Sequence, residues 1–208
     1  MRQLLLDFTQ APAPTFANFV HGGNAELFHA LGTAVRGELS ERVLYLWGEP
    51  GAGKTHLATA FAAAVRERGP GYRVIDDVER LDDPEQIALF NDFNEGAFDF
   101  LLVTASAAPR DVALRRDLST RLATGLAYRV LPLTDAEKRA ALAAHAKARG
   151  FALSEDVSSY LLTHARRDMG SLMAALDAID RYSLETGRPV TVPLLKAAVA
   201  PSALGEGR

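Results

Sequence analysis

Apolar and polar positions follow one another in two rhythms along this chain, and the change between them divides it. VLYLW (43–47), YRVIDDV (72–78), FDFLLVTA (98–105) and AYRVLPL (127–133) are short apolar runs of strand type. Between them, THLATAFAAAVRERG is an alanine-rich helix with Gly69 as its stop, and DDPEQIALFNDFNEGA (82–97) is a second helix. Ahead of the first strand, NAELFHALGTAVRG (24–37) puts Leu27, Leu31 and Val35 on one helical face, with Asn24 as its cap. Strands alternating with helices predict a parallel sheet covered on both faces.

After Leu133 only the helical rhythm remains. TDAE (134–137) is a capping box that opens a helix through Arg149, stopped by Gly150. Ser154 caps a second helix to about Arg166, and a third runs from about Met169 to Thr186 with Gly187 as its stop. Thr191 caps a short last helix with Pro193 in its first turn. Three parts are therefore expected: a loose segment over 1–15, where TQAPAPT disfavours helix and sheet, an α/β domain over 16–131, and a small all-helical domain over 132–208.

The composition is that of a globular protein, 48% apolar and 24% charged over 208 residues, enough for one full core and an appendage. A net charge of −3 argues against a chain that binds nucleic acid unaided through many phosphate contacts, so little intrinsic DNA binding is expected. The absence of cysteine excludes disulfides and thiolate metal sites and favours a reducing compartment. MRQLLLDFTQ is too short for a signal peptide or a span, so no membrane partner and a cytoplasmic location are expected.

The chemistry concentrates in GEPGAGKT, where Gly48, Gly53, Lys54 and Thr55 fit the phosphate-loop pattern between a strand and a helix. Glycines let backbone N–H groups turn inward around phosphate oxygens, and the helix beginning at Lys54 points its positive end at the same anion. Lys54 supplies a mobile cation for the outer phosphates and Thr55 a hydroxyl for Mg²⁺. VIDD (74–77) closes a strand with two carboxylates: Asp76 is suited to the Mg²⁺ shell, and Asp77 to orienting a water. Thr104 and Ser106, at the carboxyl end of the third strand, are placed either to sense a γ-phosphate or to cap the turn. QLLLDF (3–8) sets Leu4, Leu6 and Phe8 on one face of an extended chain behind the polar head of Gln3. That suits an edge strand of the chain's own sheet as well as a peptide for a partner's apolar pocket.

The order strand, GEPGAGKT, helix, VIDD, strand ending in TAS, then a helical lid resembles the AAA+ ATPases. PTFANFVHGGNAEL is similar to the Phe-x-x-Phe-Val-x-Gly-x-Asn entry of the DnaA group, with Phe16, Phe19, Val20, Gly22 or Gly23, and Asn24 at the matching positions. GFALSEDVSSYLL and RRDMGSLMAALDAID resemble the lid of the Hda branch of that family. The fold implied is an α/β AAA+ P-loop parallel sheet, followed by a small helical lid. The resemblance implies a nucleotide-binding set of Phe19, Val20, Gly48, Gly51, Gly53, Lys54, Thr55, His56 and Arg167, with ADP or ATP and Mg²⁺ as cofactors. LSTRL (118–122) is similar to the box that carries an arginine finger, with Arg121 at the matching position. Gln3, Leu4, Leu6 and Phe8 then resemble a sliding-clamp-binding motif.

The function implied is negative regulation of replication initiation. The chain would dock on the DNA polymerase III sliding clamp (beta subunit) on DNA, becoming nucleoid-associated through it. Arg121 would be offered in trans to ATP held by the initiator DnaA, with a homodimer as a further partner state. An autonomous AAA+ ATPase, such as a helicase loader, is the alternative. One departure is plain: members of the DnaA group carry a further strand and helix before VIDD, where this chain has only Gly69 to Gly71. About four core strands are therefore expected rather than five.

Overall fold

The computed structural model describes residues 13–166 and 168–198, which form two compact units, one of Pro14–Pro132 and one that begins at Leu133.

The first unit is built on four strands: β1 (Val43–Trp47), β2 (Tyr72–Ile75), β3 (Phe100–Ala105) and β4 (Leu126–Arg129). They form one parallel sheet in the order β2-β3-β1-β4, with Trp47 opposite Ala105 on one side and Arg129 on the other. The helices are α1 (Ala25–Arg36), α2 (Lys54–Val65), α3 (Asp83–Glu95) and α4 (Arg116–Leu122). The two central strands are buried on both faces, which is why their sequences read as continuous apolar runs. Leu44, Leu46 and Leu102 pack with Leu31, Leu57 and Phe61 on one face. Val43, Tyr45, Leu101 and Val103 pack with Leu89, Leu118 and Leu122 on the other. Each such side chain taken from water contributes about 1.5–3 kcal/mol, so these two layers hold the unit together.

All four expected strands are present, three of them shorter than their apolar runs. β2 stops at Ile75 because the chain turns at Asp77, which adopts a left-handed φ of 50°. Helix α4 is not visible in the apolar pattern: it has seven residues and opens on consecutive arginines. At the Gly69–Gly71 connection, the Gly71 carbonyl accepts from the N–H of Asp99 at 2.8 Å and of Phe100 at 2.9 Å. This ties the chain directly to β3 and leaves β2 as the edge.

Asn24 stands at the cap position of α1, but its side chain makes no bond to the helix N–H groups. Its Nδ2 donates to the carbonyls of His21 and Leu131, both at 2.9 Å, and its Oδ1 accepts from the Leu131 N–H at 2.7 Å. The amide thus staples the segment before α1 to the chain that leaves β4.

The second unit contains α5 (Asp135–Ala148), α6 (Glu155–His164), α7 (Met169–Thr186) and α8 (Val192–Ala198). Leu142, Val157, Leu161, Leu172, Leu176 and Ile179 form its core. The capping box forms as expected: the Glu137 N–H donates to Thr134 Oγ1 at 3.2 Å, and the Thr134 N–H to Glu137 Oε2 at 2.8 Å. Buried Asp180 on α7 accepts from Arg149 Nε at 2.8 Å, pinning the end of α5. Among the described residues no helix is long and apolar enough to cross a membrane.

Candidate nucleotide site

The loop between β1 and α2 is shaped by two close approaches. A Cβ on Gly48 would lie 2.6 Å from the Val130 carbonyl oxygen, and one on Gly53 would lie 2.8 Å from Phe19 Cε2. Gly53 also has φ 102°, in the left-handed region that side chains avoid. Phe19 can therefore rest on the loop only because Gly53 carries no side chain. Gly51 lies open, with nothing near its Cβ position.

Lys54 begins α2 and is only 8% exposed. Its Nζ donates to the carbonyls of Gly48 at 2.8 Å and Glu49 at 3.2 Å. The ammonium is thus held over its own loop, with an N–H to spare for an anion. Thr55 is exposed in the first turn of the same helix. Phe19, partly buried, stacks on Phe28 with centroids 6.1 Å apart and lies 5.4 Å from the His56 ring. His56 Nε2 bonds the Thr15 carbonyl at 2.9 Å. Val20 is half-buried next to Phe19. The structure therefore gathers Phe19, Gly48, Gly53, Lys54, Thr55 and His56 around one helix terminus.

The second strand contributes differently from the motif-based expectation. Asp76 Oδ1 accepts from Thr104 Oγ1 at 2.6 Å, and the Thr104 oxygen accepts from the Asp77 N–H at 2.8 Å. Thr104 is fully buried and committed to this pair, so it locks β2 to β3. Asp77 pairs its Oδ2 with Arg80 at 3.2 Å across one turn. Glu79, which the motif reading passed over, sits in the short 3-10 turn Val78–Arg80 and accepts from the Ser106 N–H at 2.8 Å. Its other oxygen is sealed from solvent and has no hydrogen-bond partner among the described residues. Burial works against its charge, but the Ser106 hydrogen bonds and the Lys54 charge outweigh burial and hold its carboxyl below the usual glutamate range. Tyr45, whose hydroxyl donates to the Ala107 carbonyl at 3.0 Å, is pushed far upward by burial and then by the charge of Glu79. Its spacing, three residues past the first carboxylate, does not by itself tell where the side chain goes, because that depends on the turn at Asp77.

Thr55 and Asp76 suit Mg²⁺ held jointly with phosphate oxygens. Among the described residues no group of three or more histidine or acidic side chains could hold a metal alone. Arg167 and the run Gln3, Leu4, Leu6 and Phe8 lie outside the described residues. Arg121 ends α4 and lines an open pocket of about 710 Å³ with Phe90, Arg115, Arg116, Asp117 and Thr120. Its guanidinium lies 6.0 Å from the centre of the Phe90 ring.

The family models and solved structures that match point one way. Residues 11–76 match the model of the bacterial DnaA ATPase domain, and residues 135–199 match the model of the Hda lid domain. Domain III of the replication initiation protein DnaA from Thermotoga maritima is 20% identical, with a TM-score of 0.72 over 93% of this chain and 98% of that one. AMPPCP-bound DnaA from Aquifex aeolicus is 18% identical, with a TM-score of 0.64 over 85% and 66%. The RuvB Holliday junction branch migration motor of Thermotoga maritima is 18% identical, with a TM-score of 0.64 over 89% and 70%. At these identities the likeness to solved structures is one of fold: an α/β AAA+ sheet followed by a helical lid.

Proposed function

We propose that this chain, an AAA+ protein related to DnaA and Hda, is a regulator that turns down the initiation of chromosome replication. In this reading its own site holds ADP or ATP with Mg²⁺ as a switch. Lys54 binds the outer phosphates, Thr55 and Asp76 share the cation, and Phe19, Val20 and His56 cover the loop. Gln3, Leu4, Leu6 and Phe8 dock on the sliding clamp, and Arg121 enters the ATP site of DnaA.

The observation that supports this most is the display of Arg121. The side chain is exposed, rests on Phe90, and among the described residues no carboxylate pairs with it. It shares its pocket with Arg116 and with Arg115, which Asp117 pairs at 3.1 Å, so the face stays positive on balance and suits a phosphate chain. Lys54 stands at the carboxyl end of β1, whereas α4 runs down to the amino end of β4; in this reading the finger and the loop serve different nucleotides. An arginine supplied in this way stabilises charge on the transferring phosphoryl group and is worth ~10³–10⁵ in rate.

The test is hydrolysis of ATP held by DnaA, with clamp-loaded DNA and this chain added. Arg121→Ala should keep fold and clamp binding but abolish the stimulation. A variant with Gln3, Leu4 and Leu6 changed to Ala should lose both clamp binding and stimulation. Full stimulation by Arg121→Ala, or strong turnover by the chain alone, would move the reading to an independent ATPase.

A further inference from the structure

Asp77 is the residue that the motif nominates as the second carboxylate of the phosphate site, and its geometry takes it elsewhere. Its left-handed φ of 50° turns the chain, and its carboxylate is occupied by Arg80. The turn then brings the chain back. Val78 is fully buried and anchors it, so the next side chain, Glu79, is directed at the end of β3.

That end adjoins the phosphate loop. Ala105 pairs with Trp47, and the Gly48 N–H donates to the Ala105 carbonyl at 3.2 Å. Ser106, the next residue, holds Glu79 Oε1 at 2.8 Å. The carboxylate therefore lies beside the first residue of the loop, within electrostatic reach of Lys54. Its Oε2 is the one buried side-chain polar atom among the described residues that lacks a partner. A buried carboxylate oxygen with no donor is costly to keep, and such an atom at a binding site calls for an account in terms of the ligand.

Resting on the reading of the Lys54 loop as a nucleotide site, we propose that Glu79 is a specificity-determining residue that faces the third phosphate and sets the preference of the site between nucleoside di- and triphosphates. A diphosphate leaves the carboxylate with the favourable charge of Lys54 in its surroundings. A triphosphate brings further anionic oxygens towards a carboxylate that has unpaired lone pairs and no proton to give. The two repel each other, so the site favours the diphosphate. Asp77, already neutralised by Arg80, has no such effect.

The experiment measures the affinities of fluorescent ADP and of its non-hydrolysable triphosphate analogue AMPPCP for the full chain with Mg²⁺. The wild type should bind the diphosphate more tightly. Glu79→Gln, which keeps a carbonyl for Ser106 but removes the charge, should lower the ratio of the two dissociation constants about tenfold. Asp77→Asn should change it less than about twofold. Should Glu79→Gln fail to fold, the wild type decides: an AMPPCP whose γ-phosphate carries a methyl ester has one charge fewer and should bind more tightly than AMPPCP itself. An unchanged ratio in Glu79→Gln, an equal change in Asp77→Asn, or no gain from the ester would overturn the assignment. A wild type that binds neither nucleotide would instead overturn the nucleotide reading of the loop, and this inference with it.

Discussion

Replacing Asn24 with alanine should destabilise the first unit by more than the loss of a helix cap. The residue is 4% exposed, and three hydrogen bonds end on its amide. Alanine leaves both backbone groups of Leu131 without these partners, whereas the exposed His21 carbonyl keeps the backbone N–H of residue 24 at 3.0 Å. Each buried group left unpaired costs about 1–3 kcal/mol. The Leu131 residue is 40% exposed, so water can reach part of that strip. We therefore expect a loss near the low end for each of these two groups, about 2 kcal/mol in all. For a unit of this size that is a fall of about 7 °C in Tm. Trp47, the one tryptophan, lies in β1, so its fluorescence follows this unit and not the helical one. The decisive comparison is Asn24→Asp. Aspartate is an excellent cap, so a residue acting as a cap would tolerate it. An amide staple would not, because a carboxylate would face two carbonyl oxygens with no N–H to give them. Both variants should lose stability, and Asn24→Asp at neutral pH at least as much as Asn24→Ala. Urea unfolding that places Asn24→Asp within about 0.5 kcal/mol of the wild type would refute the staple.

Gly53→Ala should disturb the loop twice over, through its φ of 102° and through the 2.8 Å approach of Phe19, and nucleotide affinity should fall at least about tenfold. Fluorescent-nucleotide titration checks it, and normal affinity would show that the loop does not depend on this contact. Tyr45 ties stability to alkaline pH. Burial, then the charge of Glu79, raises its ionisation in the folded state above the unfolded value, so its contribution is whole below about pH 10 and lost as pH climbs above it. Tyr45→Phe should cost about 1 kcal/mol at pH 7, from the lost bond to the Ala107 carbonyl. It should also flatten the decline above about pH 10, read by urea unfolding; parallel declines would refute the assignment.

The central sheet was legible because β1 and β3 are covered on both faces, and double burial writes itself as unbroken apolar runs. The helices of the second unit were legible through their ends: Thr134, Ser154 and Gly187 stand where capping chemistry puts them. Helix α4 left no such mark, since in seven residues its buried face amounts to Leu118 and Leu122. Asn24 was placed correctly but its chemistry was misread, because local spacing favours a helix partner and the true one, Leu131, is 107 residues away. In the site, the loop residues were readable from spacing alone. Glu79 was not, because its approach depends on the left-handed turn at Asp77, a conformation that aspartate tolerates but does not announce.

The short edge of the sheet bears on solubility. Beyond the Gly69–Gly71 connection, β2 presents its outer backbone groups with no neighbouring strand among the described residues. An edge of this kind is a template on which another chain can add a strand, the first step towards aggregation. Here the hazard is contained by length and charge. β2 has four residues, a glycine-proline-glycine connection precedes it, and Arg73 within it pairs with Asp92 and lies over the Phe98 ring. A longer, flatter β2 without Arg73 would turn the same edge into a sticky seam between molecules.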